Sequence, residues 1–269
     1  MPQAQLLRPN DRDAIAARRN APLIDSYNAL FQAIEATTPE QLREAFRLRY
    51  QVYCVENQFL DPADNPGGLE TDGYDAHSLH ALLLHKPTGL VAGTVRLVLP
   101  RPCNPLGSLP IHGVCSDPRL AGGDFLPADR TAEFSRFAIS KQFRRRAGDD
   151  LYGAIGPIDG ISDPRRIIPH LTLGLMAAAL RMIQATDIDH ICAVMEPALL
   201  RLLARLGIHF TAIGAMVDYH GLRQPCGVRV DELFAAMRRE RPDVWEVVTD
   251  RGRCRTSSRR SARSRIGTA

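Results

Sequence analysis

Residues 130–140 read RTAEFSRFAIS, an apolar stretch typical of a buried strand that also carries a carboxylate at Glu133 and a guanidinium at Arg136. Burying two opposite charges costs several kcal/mol per ion unless each charge finds partners. A chain that places such a pair in its core must supply further charges from other segments. The positions of those segments therefore constrain both the fold and the site.

The spacing of this pair also predicts a local irregularity. Residues three apart in a regular strand point to opposite faces of the sheet. Glu133 and Arg136 can share a face only if an extra residue is inserted as a β-bulge. We therefore expect a bulge near Phe134 or Ser135.

A helix start precedes this strand in the chain. Thr38 is suited to be the N-cap, Pro39 occupies the first helical position, and Gln41 can close a capping box. The helix is expected to run to about Val55. Its apolar face contains an arginine, which needs a buried acid because it cannot lose its charge. The residues on that face, at offsets of four, three and four, are Leu42, Phe46, Arg49 and Tyr53.

Two other segments offer charges for the same place. A loop provides Asp72 and Asp75, and the apolar stretch GTVRLVL provides Arg96. Together with the helix and the strand, they form a predicted network in which three arginines balance three acids. Such a network can be satisfied without water, whereas any member alone would be costly to bury. The predicted members are Arg49, Asp72, Asp75, Arg96, Glu133 and Arg136.

The order of apolar segments predicts an α/β or α+β fold with a mixed, mostly antiparallel sheet flanked by helices. A hairpin is expected around the turn Lys86–Gly89, and the central β-α-β-α portion is expected to contain one parallel strand pair. The predicted strands are Phe31–Ala36, Leu79–His85, Val91–Leu99, Arg130–Ser140, Ile191–Met195, Phe210–Val217 and Val228–Val230. Helices are predicted at Leu171–Gln184, Pro197–Leu206 and Asp231–Arg239, besides the one that begins after Thr38.

Composition divides the chain into a lead-in (1–22), a single domain (23–245) and an Arg/Ser-rich tail expected to be disordered (246–269). The seven arginines from residue 251 onward meet no acid, so the formal charge of +4 leaves −3 for residues 1–250. No specific nucleic-acid partner is predicted. The six cysteines form no C-x-x-C pair, which argues against zinc and disulfides. No apolar segment is long enough for a membrane span, and we expect a cytoplasmic protein.

The residues named above, in this order, resemble a family pattern. The pattern combines R-x-x-x-[FY], an aromatic residue, D-x-x-D, a strand arginine and E-x-[ST]-R-F, and it resembles the acyl-homoserine-lactone (autoinducer) synthases and the long-chain N-acyl amino acid synthases. The segments 48–56, 133–146 and 217–225 resemble most closely the acyltransferases associated with PEP-CTERM/exosortase systems. The matching residues are Arg49, Tyr53, Phe59, Asp72, Asp75, Arg96, Glu133, Ser135, Arg136 and Phe137.

This resemblance implies a GNAT fold and acyl transfer from a thioester to the amine of an amino acid or a related small acceptor. The donor would be acyl-carrier protein or acyl-CoA, with no bound cofactor and no metal. The usual glycine-rich pyrophosphate loop of CoA-dependent GNAT enzymes is represented only by RRAGDD at 145–150, which favours a carrier protein. Phe59 stands where the lactone synthases have tryptophan, and Tyr53 replaces a phenylalanine. Two alternatives therefore stay open: a homoserine-lactone synthase that uses S-adenosylmethionine, and a non-catalytic carrier-binding module.

The resemblance and the residue chemistry together suggest roles. Glu133 is the candidate general base, or else only a structural ion-pair member. Arg136 is assigned with it to catalysis, while Asp72 and Asp75 either bind the acceptor's ammonium or order their loop. Basic residues after the strand could dock an acidic carrier protein, or could be an ordinary solvated surface. The predicted substrate-binding residues are Arg49, Tyr53, Phe59, Asp72, Asp75, Arg96 and Phe137, and the predicted docking residues are Arg144, Arg145 and Arg146.

Overall fold

The computed structural model describes residues 22–144 and 167–253. In chain order the helices are α1 (Leu23–Leu30), α2 (Pro39–Tyr50), α3 (Lys141–Arg144), α4 (Ile167–Ile183), α5 (Pro197–Arg205), α6 (Val230–Glu240) and α7 (Pro242–Thr249). The strands are β1 (Phe31–Glu35), β2 (Ser78–His85), β3 (Leu90–Val98), β4 (Thr131–Ile139), β5 (His190–Met195), β6 (Thr211–Ala212), β7 (Val217–Asp218) and β8 (Leu222–Arg229).

The strands form one sheet in the order β1-β2-β3-β4-β5-β8-β6, with β7 paired to β8. Every pairing is antiparallel except that of β4 with β5, which is parallel. The predicted class, the hairpin and the parallel pair are therefore confirmed. The parallel pairing covers 131–134 against 190–193.

Helices cover both faces of the sheet, as alternation along β2 requires. Leu83 packs in the main core with α4, whereas its neighbour Leu82 packs with Ala45 of α2 on the other face. Helix α4 is buried almost all round, which explains its nearly unbroken apolar sequence. It approaches the sheet closely because Gly174 leaves no Cβ between the helix and Leu83.

Helix α2 begins as the sequence predicts. The Thr38 hydroxyl accepts a hydrogen bond from the amide of Gln41, and the Gln41 side chain accepts from the amide of Thr38. After Tyr50 the helix widens into a π-helical turn, Gln51–Glu56. Arg49 is fully buried, while the side chain of Arg47 is 56% exposed, so the helix phase assigned the inward arginine correctly.

The bulge in β4 exists, but one to two residues later than predicted. Arg96 pairs with Ser135 and Thr94 pairs with Ala138, so Arg136 and Phe137 together face the single residue Val95. Arg136 adopts a left-handed backbone with φ of 50°. The inserted residue is thus Arg136 itself, and its side chain shares Asp72 with Arg96.

Two other expectations need correction. The predicted strand over 210–217 forms only two short pieces, because Gly214 turns the chain with φ of 62°. The strand β8 is longer than predicted at its N-terminal end. Helix α1 was not predicted. The domain boundary predicted at residue 245 falls inside α7, in which Val247, Val248 and Thr249 are buried.

Within the described residues, none of the helices has the length and apolarity needed to cross a membrane. The predicted lead-in lies outside those residues except for Pro22, and so does the tail from residue 254 onward.

Candidate active site

A buried network of charges lies between α2, the loop before β2, and strands β3 and β4. Arg49 is its best-enclosed member, with no solvent exposure. Its Nη1 and Nη2 donate to the two carboxylate oxygens of Asp75 at 2.7 and 3.1 Å, and its Nε donates to Glu70. This bidentate geometry is the arrangement that makes an arginine–carboxylate pair strong.

Arg96, also fully buried, joins the same acids from β3. Its Nη1 donates to Asp72 at 2.6 Å and to Asp75 at 2.7 Å. Its Nε donates to the hydroxyl of Ser135 at 2.9 Å. Its Nη2 is buried without a hydrogen-bond partner among the described residues. Such an orphan guanidinium nitrogen is uncommon in a folded core.

Arg136 completes the network from the bulge. Its Nη2 donates to Glu70 at 2.8 Å and to Asp72 at 2.9 Å, and its Nε lies 3.1 Å from both Glu70 oxygens. Its guanidinium lies 5.6 Å from the ring centroid of Tyr53, a cation–π distance. Its Nη1 makes no hydrogen bond within residues 22–144 and 167–253, and the side chain is 18% exposed.

The third acid of the network is therefore Glu70, and the prediction that Glu133 plays this part is wrong. Glu70 is 1% exposed and accepts from both Arg49 and Arg136. It occupies that place because Phe46 anchors the loop, accepting the amide hydrogen of Glu70 at 3.1 Å. Glu133 makes no ion pair with either arginine.

Glu133 lies apart from the network in a largely apolar setting. One carboxylate oxygen accepts the amide hydrogen of Ile111 at 2.7 Å, and the residue is 3% exposed. Burial raises its pKa to about 8, although the Ile111 amide and the charges of Arg96 and Arg136 act in the opposite direction. At neutral pH this carboxyl is therefore mostly protonated and can exchange a proton near physiological pH.

The network acids show the opposite behaviour. Burial raises the pKa of Asp75, but hydrogen bonds and charge from Arg49 and the charge of Arg96 outweigh it, so the pKa lies well below its usual range. The pKa values of Glu70 and Asp72 are also lowered by their arginine partners in spite of burial. His80, beside Asp75, is buried and has its pKa lowered to about 4. The network is therefore three cations against three anions, with a neutral histidine beside it.

A cavity of about 380 Å³ opens where β4 and β5 separate beyond their parallel pairing. Glu133, Ser135 and Arg136 form part of its polar wall. Its apolar wall comprises Val52, Leu60, Phe137, Ile139, Met176, Val194, Met195, Leu199 and Leu202.

The predicted substrate-binding residues divide into two groups. Tyr53, Phe59 and Phe137 line the cavity, as does Arg136. The second group does not line the cavity. Its members bond to one another in the ion-pair network beside it, and they are Arg49, Asp72, Asp75 and Arg96. Arg145 and Arg146 lie outside the described residues, as does the side chain of Arg144.

The cavity has another wall that the sequence did not assign to the site. The β7–β8 hairpin contributes Tyr219, His220 and Arg223. The imidazole of His220 stacks on Phe59 with ring centroids 6.1 Å apart, so the hairpin meets the segment after α2 across the cavity. The motif DYHGLRQP was visible at 217–225, but no local pattern indicates that it reaches β4. Glu70 was missed similarly, although it stands two residues before Asp72.

Among the described residues, no group of three or more His, Cys, Asp or Glu could hold a metal ion. Burial raises the pKa of both Cys192 and Cys226, which argues against these two thiols as nucleophiles. The chemistry available to the cavity is therefore proton transfer, hydrogen bonding and electrostatic stabilisation by its carboxyl, imidazole, phenol and guanidinium groups.

Comparison with known proteins agrees with this architecture. Residues 48–153 match the acetyltransferase (GNAT) domain. The structure is similar to the CoA-dependent acyl-homoserine lactone synthase BjaI, solved with SAM and isopentyl-CoA, with a TM-score of 0.53 and 21% identity over 82% of this chain and 88% of BjaI. It is similar to the AHL synthase LasI, with a TM-score of 0.51 and 20% identity over 77% of this chain and 93% of LasI.

A further similarity is to TofI, solved in a ternary complex with an inhibitor and MTA, with a TM-score of 0.50 and 20% identity over 77% of this chain and 96% of TofI. No curated protein matches the sequence significantly. The structural likenesses establish a GNAT-like fold. The matched acetyltransferase domain indicates an acyltransferase.

Proposed function

We propose that the chain transfers a long-chain acyl group from a thioester to the amine of an amino acid or a related small acceptor. The observation that carries this proposal is the position of Glu133. Its carboxyl lines a cavity with an apolar wall and lies outside the ion-pair network, and burial raises its pKa to about 8. A carboxylate of this kind can take the proton from an attacking amine.

The proposal of an amino acid as the acyl acceptor rests on hydrogen-bond donors at the cavity that have no partner within the described residues. Ser135 and Arg136 line the cavity next to Glu133, and Arg136 Nη1 is without a partner in the described part of the chain. Residues two apart in a strand lie about 7 Å from each other on one face. An α-amino acid can span that separation with its amine at Glu133 and its carboxylate at Ser135 and Arg136. The unpaired Arg96 Nη2, next to the Nε that donates to Ser135, adds positive charge there.

Charge balance supports the same class of acceptor. The network is neutral overall, and a protonated Glu133 leaves it so. A zwitterionic amino acid adds no net charge to the buried site, whereas an isolated anion or ammonium would leave a buried charge uncompensated. Asp72 and Asp75 are fully used by Arg49, Arg96 and Arg136, so in this proposal they hold the arginines instead of binding the acceptor's ammonium.

The donor is proposed to be an acyl thioester on acyl-carrier protein or CoA. The separation of β4 and β5 would admit its pantetheine arm, and the apolar wall its acyl chain. We keep the preference for a carrier protein, docked through Arg144, Arg145 and Arg146, as a proposal from the sequence. The link to PEP-CTERM/exosortase systems is likewise proposed from the motifs at 48–56, 133–146 and 217–225.

A homoserine-lactone synthase that uses S-adenosylmethionine is the second candidate. It is favoured by the fold shared with BjaI and LasI. S-adenosylmethionine also carries an α-amine and an α-carboxylate, so the proposed contacts of Glu133, Ser135 and Arg136 would serve it too. Replacement of a tryptophan by Phe59 and of a phenylalanine by Tyr53 favours the first candidate. A non-catalytic carrier-binding module would need no titratable group in the cavity.

The three candidates separate in one experiment. Purified protein is offered acyl-carrier protein and CoA loaded with the same acyl chain, together with free amino acids or S-adenosylmethionine, and products are identified by mass spectrometry. We expect N-acyl amino acids, and we expect Glu133→Gln to lower kcat roughly 10²–10⁴-fold. Acyl-homoserine lactone as the product would favour the second candidate. Absence of any product would support a binding module.

A further inference from the structure

The β7–β8 hairpin is the part of the cavity whose purpose the proposed function does not explain. Its two strands are joined by two residue pairs, Val217 with Arg223 and Asp218 with Leu222. Nevertheless its turn is closely specified. Asp218 accepts the amide hydrogen of Gly221 at 3.2 Å, and Arg223 donates to the carbonyl oxygens of Tyr219 and His220 at 3.1 Å each.

His220 occupies an uncommon backbone position in this turn. Its φ is 54°, in the left-handed region that few non-glycine residues adopt, histidine more often than most. Residues in this region cluster at functional sites. Arg223, which fixes the turn, is itself held by Glu196 at 2.5 Å and lies 5.6 Å from the ring centroid of Phe59.

The imidazole lies on the cavity wall formed by the hairpin, whereas Glu133 lies on the wall formed by β4. It is stacked against Phe59 and lies 4.9 Å from the ring centroid of Tyr219. The hairpin follows β5 in the sheet order, so His220 is on the β5 side of the opening through which a thioester would enter. With the amine at Glu133, a thioester that enters between β4 and β5 would bring its sulfur toward the hairpin in the proposed arrangement.

We infer that His220 is the general acid that protonates the departing sulfur in the proposed acyl transfer, and this inference rests on the proposed function. The acceptor reacts as its neutral amine and Glu133 as its carboxylate, each having first released one proton to solvent. The amine nitrogen then forms a bond to the thioester carbonyl carbon and loses one further proton to the Glu133 carboxylate. The carbon–sulfur bond breaks, its electron pair stays on sulfur, and the imidazolium of His220 gives that sulfur a proton. The products are an amide and a thiol, and solvent returns the proton from Glu133 to His220.

The other polar groups of the cavity are less suited to this step. Arginines cannot give up a proton, which excludes Arg136 and Arg223. Burial raises the pKa of Tyr53, and its ring is covered by Arg136. Glu196 is occupied by Arg223, and Glu133 serves the amine. Tyr219, next to His220 on the same turn, is the competing candidate.

The test varies the leaving group. Two thioesters of one acyl chain are compared, one of N-acetylcysteamine and one of 4-nitrothiophenol, whose thiolate is stable enough to leave without a proton. His220→Asn suits the left-handed backbone, and His220→Phe keeps a ring against Phe59. For both variants we expect kcat to fall about 10²-fold or more with the alkyl thioester and less than about 3-fold with the aryl thioester.

Leu222→Ala is the matched control, because Leu222 is 57% exposed on the same hairpin and does not line the cavity. It should leave both thioesters unaffected. The inference is overturned if the His220 variants lose activity equally with both thioesters, since that indicates a structural role, or if they lose none. It is also overturned if Tyr219→Phe alone shows the leaving-group dependence. If the unaltered protein acylates no amine with either thioester, the proposed function itself fails.

Discussion

Glu70 is a central residue of the network, because its carboxylate accepts hydrogen bonds from two arginines. Arg49 has no exposure at all and Arg136 is largely enclosed, and both donate to the same carboxylate. A buried ion pair is weak support for stability when intact, but removal of one partner leaves an uncompensated charge in a low-dielectric setting. The network therefore fixes the bulge and the loop before β2 relative to each other. Loss of any one of its charged side chains is expected to be strongly destabilising.

This leads to a prediction for Glu70→Gln. The variant keeps the side-chain shape but leaves one positive charge in excess, so the free energy of unfolding should fall by about 3–5 kcal/mol. Urea denaturation measures it. Glu44→Gln is the control, because Glu44 pairs with Arg47 on the surface with both side chains about half exposed. That change should cost less than about 1 kcal/mol. Equal effects of the two substitutions would contradict the network's role.

At the residue scale, the buried arginine Arg49 could be predicted from the sequence, whereas its acidic partner Glu70 could not. The inward position of Arg49 follows from helical periodicity, which is a local property. The choice between Glu70 and Glu133 as its partner depends on the path of the loop between α2 and β2. That path is set by contacts such as the Glu70 amide with the Phe46 carbonyl, which no local pattern records.

At the scale of elements, the bulge shows how a correct physical argument can give a displaced position. The bulge was predicted so that Glu133 and Arg136 could share a face and partners. In the structure, Arg136 instead shares its partner Asp72 with Arg96. The left-handed residue is therefore Arg136, directly after the Ser135 that faces Arg96.

The contact of α4 with the sheet yields a prediction about packing. A Cβ at Gly174 would lie 2.7 Å from Cδ1 of Leu83 and 3.1 Å from Cε2 of Tyr27, both in the core. Overpacking of this kind costs roughly 1–3 kcal/mol, which should exceed the roughly 1 kcal/mol by which alanine favours a helix over glycine. Gly174→Ala is thus expected to lower the melting temperature.

The control for that substitution is Gly123→Ala. A Cβ at this exposed loop position meets nothing within 4 Å. It should change the stability by no more than about 0.5 kcal/mol. If Gly174→Ala were as stable as Gly123→Ala, the close approach of α4 to β2 would not be a constraint on the core.

At the scale of the whole molecule, the ionisable groups of the site make the stability of the fold depend on pH in opposite directions. Glu70, Asp72 and Asp75 have lowered pKa values in the fold, so the stability they contribute is present above their ordinary values and is lost as the pH falls through the folded ones. His80, with a pKa lowered to about 4, likewise contributes less as the pH falls below its ordinary value. These groups together predict unfolding in acid.

Glu133 acts in the other direction. Its folded pKa of about 8 is raised, so its contribution to stability is complete below its ordinary value of about 4.5 and is lost as the pH rises through about 8. The molecule therefore gives up stability at neutral pH to keep a carboxyl that can exchange a proton there. Such a loss of stability is the cost that the proposed role of Glu133 as proton acceptor implies.

Glu133→Gln isolates the contribution of Glu133 ionisation to stability, because glutamine keeps the acceptor for the Ile111 amide but cannot ionise. The variant and the original protein should be about equally stable near pH 4.5. Their difference should then grow in favour of the variant until about pH 8, reaching the order of a few kcal/mol, because each pKa unit is worth about 1.4 kcal/mol. Denaturation measured across this range reports the difference directly, and the network acids and His80 cancel from it. Parallel stability curves would mean that Glu133 is not a buried, neutral carboxyl, and the assignment of the proton acceptor would have to move elsewhere in the cavity.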